Sequence, residues 1–519
     1  MNERTVLKLH QDDDVAIAKI DVPSRSAVRL GCGSKLSPRS DIPSGHKIAL
    51  HSLKAGQPVR KFGQIIGFAA RDIEPDEHIH SHNLSAPQYS REYEFGTEVV
   101  PVDFVPEKDR RTFQGFPRPD GRVGTRNYIA VISTVNCSAY VTRQIAARFT
   151  PDRLAGYPNI DGVIPITHHG GCSTKIGSLD YIYLQRALAG VAQHPNVGGY
   201  ILIGLGCEVN QIDNLIANYH LQDASASARD SAGPAPPFAT TIQQEGGVEK
   251  TISAGVQAVE RMLPEVNRAA RSEQPVSKLN LGLQCGGSDG WSGITANPLL
   301  GRVSDKLVAQ GGTIVLAETP EIYGAEQLLL HRTVSREVGQ KLVDFVHWWE
   351  QKTRQHDMEI DNNPSPGNKA GGLTTIYEKS LGAIAKAGST PLKEVYGYAE
   401  QVTAKGACFM DTPGNDWISA TGQAAGGCNL IVFTTGRGSV FGFKPAPSIK
   451  ISTNTPLYDH MTEDMDFNGG RVIEGKTMED LTDELFDLIV SVASGRQSKS
   501  EAQGIGEDEF CPWPIGGIL

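Results

Sequence analysis

From Phe116 onward, short apolar runs alternate with segments that have the apolar spacing of helices. This alternation constrains the fold more than any other feature of the sequence. Three apolar runs, NYIAVIST, DGVIPITH and GGYILIGLG, are each followed by an amphipathic stretch: VTRQIAARF, YIYLQRALAGVAQ and QIDNLIANY. Strands that alternate with helices predict a parallel sheet covered by crossover helices. The sequence therefore predicts an α/β fold for most of the chain.

The pattern changes at three places along the chain, and 519 residues exceed what one hydrophobic core usually serves. Residues 1–92 carry short alternating runs such as VAIAKI and GHKIALHSL, which predict a small all-β domain. The polar segment 93–115 predicts a linker. A long amphipathic stretch ends near residue 275, and the alternation then resumes with LNLGLQ. We therefore predict one α/β domain over 116–275 and another over 276–519.

Composition and charge exclude several classes of function. The formal net charge is -10 and the pI is about 5.8, which argues against a nucleic-acid surface because such a surface needs clustered Lys and Arg. The N-terminal MNERTVLKLHQDDD has no apolar core of the kind a signal peptide needs, and no apolar stretch of about 18 residues follows. We expect a cytoplasmic protein without membrane association, in which an anionic substrate would need a local positive site.

Four of the eight cysteines follow apolar runs and stand beside glycines or small polar residues. These are Cys137, Cys172, Cys207 and Cys285. Eight cysteines are too few for a disulfide scaffold in a chain of this length, so the sequence predicts thiols or metal ligands. The carboxyl ends of parallel strands gather at one edge of a sheet, and some of the four could therefore converge there.

Two histidine motifs offer ligands or bases. In EHIHSHN, residues 77–83, the imidazoles of His78, His80 and His82 would face one side of an extended strand, where they could bind a metal or move protons. The alternative is a solvated edge of the β domain. In THHGGCS, His168 and Cys172 follow a strand beside two glycines, an arrangement that suits a soft metal or a nucleophile, although a plain loop would read the same way.

Two glycine-containing turns bear on ligand binding. GLGCEVN, which includes Glu208, lacks the third glycine of a dinucleotide fingerprint, so nicotinamide binding is poorly supported. QCGGSDGWSGITANP carries Ser288, Asp289 and Asn297 on a turn that would lead into a helix. Such a turn can hold a carboxylate through backbone N–H groups. Turn chemistry alone explains its glycines but not its density of reactive groups.

Two cations and two acids complete the candidates. Lys369, in NPSPGNKAGG, and Arg437, in TTGRGS, could anchor an anionic substrate, and the guanidinium could grip a carboxylate with two hydrogen bonds. A surface arginine in a glycine turn is the alternative. Glu318 and Glu321 close the strand GTIVLA and could bind a cation or act as acid and base, or simply be solvated.

Taken in order, GRVGTRN, GLGCE, QCGGSDGWSGITANP, ETPEIYGAEQ, NPSPGNKAGG and FTTGRG resemble the altronate and galactarate dehydratases over nearly the whole chain. The resemblance implies a β-clip (SAF-like) N-terminal domain, a middle domain that mediates dimerisation, a Rossmann-like C-terminal domain, a homodimer and an iron requirement. His80, His82 and Asn83 match a His-x-His-Asn signature typical of altronate-type members, which favours altronate over galactarate. Sulfolactate-type lyases share that signature, so the substrate stays open.

The resemblance implies a hydro-lyase that removes water from a small anionic sugar acid, with D-altronate giving 2-keto-3-deoxy-D-gluconate. Iron is expected as Fe²⁺, with Mn²⁺ or an iron–sulfur cluster as alternatives. We assign catalytic roles to His80, His82, His168 and Asp289; substrate-binding roles to Asn83, Ser288, Asn297, Lys369 and Arg437; and metal-binding roles to Cys137, Cys172, Cys207, Cys285 and Glu208. The competing classes are a non-catalytic sugar-acid sensor and a nicotinamide oxidoreductase.

Overall fold

The computed structural model describes residues 5–30, 35–87, 92–222 and 236–515. Its strands are β1 (Val6–Leu7), β2 (Val15–Ala18), β3 (Val28–Arg29), β4 (Lys35–Leu36), β5 (Lys47–Ala49), β6 (Pro58–Lys61), β7 (Gln64–Ala69), β8 (His78–Ile79), β9 (Leu84–Ser85), β10 (Thr112–Pro117), β11 (Val123–Gly124), β12 (Tyr128–Ser133), β13 (Gly162–Ile166), β14 (Val197–Gly204), β15 (Ala239–Thr241), β16 (Ser272–Pro275), β17 (Asn280–Cys285), β18 (Thr313–Leu316), β19 (Leu392–Tyr396), β20 (Gly406–Met410), β21 (Leu430–Thr435), β22 (Ser448–Ser452) and β23 (Phe467–Asn468).

Its α-helices are α1 (Ala139–Ala146), α2 (Pro151–Leu154), α3 (Leu179–Ala192), α4 (Ile212–Tyr219), α5 (Ile242–Glu245), α6 (Val248–Val266), α7 (Ala296–Ala309), α8 (Gln327–Leu330), α9 (Arg336–Gln355), α10 (Pro366–Ala370), α11 (Ile376–Ile384), α12 (Asp416–Ala425), α13 (Thr455–His460), α14 (Met478–Ala493) and α15 (Lys499–Ala502). Among the described residues, no helix is both long and apolar enough to cross a membrane.

The N-terminal region is built from small antiparallel sheets, which confirms the predicted all-β domain. One sheet has the order β1-β2-β5-β8, and the others are β6-β7-β9 and the pair β3-β4. Alternating residues of β2 serve two separate cores, since Val15 and Ile17 lie in one apolar cluster while Ala16 and Ala18 lie in another. Trp291, from the C-terminal region, packs into the first of these clusters.

The middle region holds a four-stranded parallel sheet in the order β13-β12-β14-β15. All six residues of β12 are buried because α1 and α6 cover one face while α3 and α4 pack on the other. Such two-sided burial explains why these strands are continuous apolar runs. Ser178 caps α3 by accepting a hydrogen bond from Tyr181 N, and this fixes where the helix begins.

The C-terminal region contains a seven-stranded sheet in the order β19-β20-β18-β17-β21-β22-β23, in which every pair is parallel. The chain leaves β17 toward β18 on one side, and β21 lies on the other side. Loops diverge at such a switch point and leave a crevice beyond the carboxyl ends of the strands. The predicted α/β architecture is confirmed in both regions.

Two contacts fix the middle sheet to the C-terminal sheet. First, β10 pairs with β16 and contacts α14 of the C-terminal region, so the chain enters and leaves the middle region at a two-strand clasp that packs on that helix. Second, α3 packs along α12. Tyr183 contacts Tyr398, whose hydroxyl donates to Ile418 O, while Gly190 contacts Ala425, so the two helices run in the same direction. The carboxyl edges of both sheets therefore face the same side of the molecule.

Candidate active site

An open cleft of about 740 Å³ lies between the N-terminal β region and the carboxyl edge of the C-terminal sheet. Its polar lining comes from turns that follow β17, β21 and β22, with further residues from the N-terminal region. The polar residues that matter here are Lys19, Asp289, Arg437, Asn454 and His460. The cleft therefore lies where the switch point of the sheet predicts a ligand crevice.

Asp289 holds these turns together. Its carboxylate accepts hydrogen bonds from Trp291 N at 3.1 Å, from Ser292 N and Oγ at 2.9 and 3.0 Å, from Thr453 Oγ1 at 3.0 Å and from Asn454 Nδ2 at 3.2 Å. Burial raises the pKa of this carboxyl, and the hydrogen bonds oppose that shift. Both oxygens are occupied within the protein, so the group is suited to fixing the turns.

Of the two predicted anchoring cations, Arg437 lines the cleft and is exposed. Its backbone N–H donates to Gly287 O at 2.7 Å, which joins the turn after β21 to the turn after β17. Lys369 lies half-buried on α10, next to Ala370, and Ala370 itself lines the cleft. Of the two predicted cations, Arg437 is therefore the one that lines the cleft and could bind an anion there.

A second, much smaller cavity of about 10 Å³ is lined by Ser288, Asn297, Cys285, Lys61 and Lys379 among others. The amide of Asn297 is engaged on both sides. Its Nδ2 donates to Gly382 O at 2.9 Å, and its Oδ1 accepts from Thr434 Oγ1 at 2.6 Å. The structure places Ser288 and Asn297 on the same wall, with the Asn297 side chain tying α7 to β21.

Cys285, Glu318 and Glu321 form a buried group whose donor atoms lie within 4.8 Å of one another. Two buried lysines face it: Lys386 Nζ is 2.9 Å from Cys285 Sγ, and Lys379 Nζ is 2.7 Å from Glu321 Oε1. Burial raises the pKa of the thiol to about 11, so the neutral thiol prevails. Burial would also raise the pKa of Glu321, but the lysines outweigh it and hold that pKa below its usual value.

Glu318 is the unusual member of this group. Both of its carboxylate oxygens are buried without a hydrogen-bond partner, and its backbone takes the left-handed conformation with φ 72°. Burial and the neighbouring Glu321 raise its pKa well above the usual value. Asp416 lies beside the group, and burial raises its pKa to about 7. Lys386 Nζ lies 3.8 Å from Glu318 Oε2, and the two lysines together place positive charge on all three donors, where it would compete with a metal ion.

Four imidazoles cluster at the edge of the N-terminal region. His46 Nδ1 lies 3.0 Å from His78 Nε2, and the ring centroid of His78 lies 5.4 Å from that of His80 and 5.7 Å from that of His82. Burial and the neighbouring charges lower the pKa of His78 to about 3 and that of His80 to about 4. Both rings are neutral at neutral pH and can bind a metal or accept a proton.

Asn83 organises the turn that carries these histidines. Its Oδ1 accepts from His80 N at 2.9 Å, and its Nδ2 donates to His78 O at 3.0 Å. The fully buried amide leaves no atom for a ligand in this arrangement, and its effect is to set the ring positions. His46 Nε2 lies 3.3 Å from the carbonyl of Ala370, so the imidazole cluster adjoins the cleft.

A buried ion trio locks the two regions beside this cluster. Lys47 and Lys61, from the N-terminal region, both donate to Glu378 of α11, at 2.9 Å each, with side chains no more than 1% exposed. Lys47 also donates to Gly372 O at 2.6 Å, and Thr374 Oγ1 donates to Glu378 at 2.6 Å. Burial would raise the pKa of Glu378, but the charges of the two lysines outweigh it and lower that pKa far below its usual value. The trio fixes the histidine-bearing region against the cleft.

The remaining predicted residues lie in the middle region. Cys137, Cys172 and Cys207 are exposed at the carboxyl edge of its sheet, whereas Cys285 belongs to the buried group described above. His168 is buried, with Nε2 2.9 Å from Ser133 O and Nδ1 accepting from Gly170 N at 3.1 Å. Burial lowers its pKa to about 4. Glu208 is buried and accepts from Thr134 Oγ1 at 2.9 Å and Gly206 N at 2.6 Å.

The structure thus separates the predicted set into four places: the cleft with Asp289 and Arg437, the neighbouring cavity with Ser288, Asn297 and Cys285, the imidazole cluster with His80 and His82, and the middle region with His168, Glu208 and the exposed thiols. Sequence reasoning missed His46, Glu378 and the lysines Lys379 and Lys386. A signal for the last three was present, because IYEKSLGAIAKAG places charges within an apolar helical run. Such charges are paired when a helix is buried on all sides.

Three family models together match nearly the whole chain. Residues 276–518 match the family model described as D-galactarate/Altronate dehydratase, C-terminal, residues 115–267 match D-galactarate dehydratase/Altronate hydrolase, second domain, and residues 4–87 match the Altronate/galactarate dehydratase SAF domain. The altronate dehydratase of Bacillus subtilis (strain 168) is 37% identical over 97% of this chain and 98% of its own length.

Two proteins of Escherichia coli (strain K12) are also similar. Its altronate dehydratase is 37% identical over 96% of this chain and 97% of its own length. Its galactarate dehydratase (L-threo-forming) is 34% identical over 95% of this chain and 93% of its own length. These matches confirm the resemblance seen in the motifs and the SAF character of the N-terminal region. The chain belongs to the D-galactarate/altronate dehydratase family.

Proposed function

We propose that this chain is a hydro-lyase that converts D-altronate to 2-keto-3-deoxy-D-gluconate and water. The observation that carries the proposal is the cleft, in which exposed Arg437 stands over turns fixed by buried Asp289, with the imidazole cluster adjoining. Two relatives at 37% identity over nearly the full length are altronate dehydratases, which supports the substrate. The signature of His80, His82 and Asn83 supports it as well.

The chemistry requires removal of a proton next to a carboxylate, and the negative charge that builds up must be stabilised. In this proposal Arg437 binds the substrate carboxylate with two hydrogen bonds, and Lys369 adds positive charge at the edge of the cleft. Asp289 acts by holding the turns after β17 and β22 in place, since its oxygens are already occupied. Ser288 and Asn297 line a neighbouring cavity of about 10 Å³ and not the cleft, so in this proposal Asn297 acts by tying α7 to β21.

Proton transfer falls to His80 and His82. The ring of His80 is unprotonated at neutral pH because burial and nearby positive charge lower its pKa to about 4. A carboxylate bound beside it would raise that value toward the working range of a general base. Asn83 positions both rings through the turn that it holds. His168, hydrogen-bonded on both nitrogens inside the middle region, acts by positioning its loop.

Iron is proposed as the metal, as Fe²⁺, with Mn²⁺ or an iron–sulfur cluster as the alternatives. When bound, it would supply Lewis-acid stabilisation of the charge on the substrate. The exposed thiols Cys137, Cys172 and Cys207 fit a soft or borderline metal, and Glu208 holds the loop of Cys207. Cys285 fits less well because Lys386 Nζ already lies 2.9 Å from its sulfur.

The test is turnover of a substrate panel under anaerobic conditions with iron present. D-altronate, galactarate and sulfolactate are each incubated with the protein, and the 2-keto acid or released sulfite is measured. Formation of a 2-keto acid from altronate, with galactarate and sulfolactate much slower, supports the proposal. Preference for either of the others would reassign the substrate, and tight binding without turnover would favour a sugar-acid sensor.

Arg437→Gln offers a variant that keeps polarity and size at the cleft while removing the charge. It should retain the fold and lose most of its affinity for altronate. Lys108→Gln, in the exposed segment before β10, is a matched control that removes one cation far from the cleft and should leave turnover unchanged. Equal loss in both variants would contradict the role of Arg437.

The organisation of the chain is part of the same proposal. We propose domain limits at 1–92, 93–115, 116–275 and 276–519, a homodimer formed through the middle domain, and a cytoplasmic location. The pairing of β10 with β16 supports the boundary near 275 because it closes the middle region at that point. Sedimentation velocity of the full chain at several concentrations tests the dimer.

A further inference from the structure

We propose that His46 and His78 form a hydrogen-bonded imidazole pair, in which His46 is a positioning residue and His78 is the acid–base group that it orients for dehydration. The role in dehydration rests on the proposed function, whereas the pair itself rests on contacts within the structure. His46 Nδ1 lies 3.0 Å from His78 Nε2. On the other side of the ring, His46 Nε2 lies 3.3 Å from Ala370 O, at the end of α10.

The register of two strands brings these rings together. In the antiparallel pair of β5 and β8, Ile48 lies opposite His78. Side chains along a strand alternate between its two faces, so His46, two residues before Ile48, shares a face with His78. The ring centroids of the two histidines lie 5.2 Å apart. The strand register therefore holds the two imidazoles side by side.

The ring of His46 is fixed by both the N-terminal and the C-terminal regions. The residue is 5% exposed, its backbone N–H donates to Pro43 O at 3.1 Å, and its carbonyl accepts from Ala18 N at 2.9 Å. A Cβ at Gly372 would lie 3.2 Å from His46 Cδ2 and 2.7 Å from Gly45 O, and φ at Gly372 is 103°. Glycine therefore allows the loop between α10 and α11 to close over this ring.

The contacts determine which nitrogen of each ring carries the hydrogen. A carbonyl oxygen only accepts hydrogen bonds, so His46 Nε2 donates to Ala370 O. In a neutral ring the other nitrogen is an acceptor, so His46 Nδ1 accepts from His78 Nε2, and His78 Nδ1 is left unprotonated. Burial lowers the pKa of His46, and burial with neighbouring charges lowers that of His78 to about 3. Both rings are therefore neutral at neutral pH.

The unprotonated nitrogen of His78 is accessible. Among the described residues, the buried side-chain atoms that lack a hydrogen-bond partner include His80 Nδ1 but not His78 Nδ1. The half-buried ring of His78 stacks on that of His80, with centroids 5.4 Å apart and an interplanar angle of 23°. Its centroid also lies 5.7 Å from that of the exposed His82. A proton taken up by His78 is therefore held beside the two rings to which proton transfer is assigned.

The pair has the arrangement of a base that is oriented by a second group. His78 Nδ1 accepts a proton while its Nε2–H stays bonded to His46 Nδ1, and such a bond makes the free nitrogen more basic. The proton is released again as the hydroxyl group departs as water, so the ring ends in its starting state. Because Ala370 lines the cleft, its carbonyl ties the orientation of the base to the wall of the cleft.

The first measurement is spectroscopic and does not need turnover. The full chain is prepared with isotope-labelled histidine, and slowly exchanging ring N–H groups are recorded by NMR together with the coupling across an N–H···N hydrogen bond. We expect one ring N–H shared between two imidazole nitrogens, and its loss in His46→Phe. In His46→Asn the amide oxygen can accept from His78 in place of Nδ1, so a protected ring N–H of His78 should remain.

The second measurement is the rate of altronate dehydration. His46→Phe should lower kcat by about 10- to 100-fold and leave KM nearly unchanged, because Arg437 is untouched. His46→Asn should recover most of the rate, whereas a purely structural role would lower kcat equally in both variants. Combining His46→Phe with His78→Gln should give an enzyme no slower than His78→Gln alone, because His46 acts through His78.

His51→Phe is the matched control from the same region. The exposed ring of His51 lies 2.9 Å from Asp14 Oδ1, so this change removes an imidazole that is hydrogen-bonded to a carboxylate and not to another ring. It should leave both the shared ring N–H and kcat unchanged. Circular dichroism of each variant checks that the fold is retained.

The outcomes separate this inference from the proposed function. Absence of the shared N–H in the unsubstituted protein, or its persistence in His46→Phe, would overturn the pair. An unchanged kcat in His46→Phe, or additive losses in the double variant, would overturn its role in dehydration and leave the proposed function standing. If no sugar acid is dehydrated, the proposed function and the role of the pair in it both fail, while the NMR result still decides whether the pair exists.

Discussion

Replacing Glu378 by Gln should break the buried ion pairs that hold the N-terminal region against the C-terminal region. Its carboxylate accepts hydrogen bonds from Lys47 and Lys61 at 2.9 Å each, and all three side chains are almost completely buried. The Glu378→Gln variant would leave two ammonium groups facing each other and an amide in the interior. Removing one partner of a buried ion pair costs about 3–5 kcal/mol, and two stranded cations place this case at the upper end.

The assay is denaturant unfolding followed by tryptophan fluorescence, since Trp291 packs into the N-terminal apolar cluster and reports on its docking. Glu378→Gln should lower the free energy of unfolding by about 4–5 kcal/mol. Adding Lys61→Met to this variant should recover part of the loss, because it removes an unpaired buried charge, whereas Lys61→Met alone should destabilise.

Asp72→Asn is the matched control, because it breaks the Lys54–Asp72 pair of the same region, whose side chains are 75% and 54% exposed. Exposed ion pairs contribute little to the free energy of unfolding, so the unfolding midpoint should equal that of the unsubstituted protein within error. The reasoning would be refuted if Glu378→Gln unfolded at the same midpoint as Asp72→Asn, or if Lys61→Met cost the same in both backgrounds.

Three further outcomes are expected. Burial lowers the pKa of His168 to about 4 and of His194 to about 3, so between pH 6.5 and 5 the unfolded chain binds protons that the folded chain does not. The free energy of unfolding should therefore fall by about 2 kcal/mol for each histidine as the pH is lowered to 5. His194→Gln should flatten the profile of unfolding free energy against pH. Arg437→Lys should raise KM for altronate about tenfold by losing one of two hydrogen bonds, and unchanged KM would contradict carboxylate binding there. Gly171→Ala should lower the free energy of unfolding by about 1–3 kcal/mol because φ is 97° and its Cβ would lie 2.5 Å from Thr134 O, and an unchanged unfolding midpoint would show that the loops tolerate the shift.

The strands of both parallel sheets could be predicted from sequence because burial on both faces makes them continuous apolar runs. The long helix α9 could not be separated from its surroundings so readily, since charged residues cover most of its surface and its buried face is narrow. The pairing of β10 with β16 joins segments more than 150 residues apart, and local pattern carries no information about such partners.

For the candidate site, too, the sequence could predict positions at strand ends but not long-range contacts. The position of Asp289 and Arg437 at strand ends followed from the rule for parallel sheets, and the exposed thiols lie at such ends as well. The local sequence pattern could not show which side chains already have hydrogen-bond partners within the protein. The engagement of Asn83, Asn297 and Glu208 depends on partners brought by other elements.

The middle region is attached to the C-terminal region at two places, through the clasp of β10 and β16 and through the parallel packing of α3 on α12. Attachment at two separated places leaves the middle region one axis of rotation, the line that joins those places. The exposed thiols of the middle region and the turns around Arg437 are therefore restricted in how far they can move apart. The N-terminal β region is held by the ion trio at Glu378, so it can move over the cleft only if those buried pairs break.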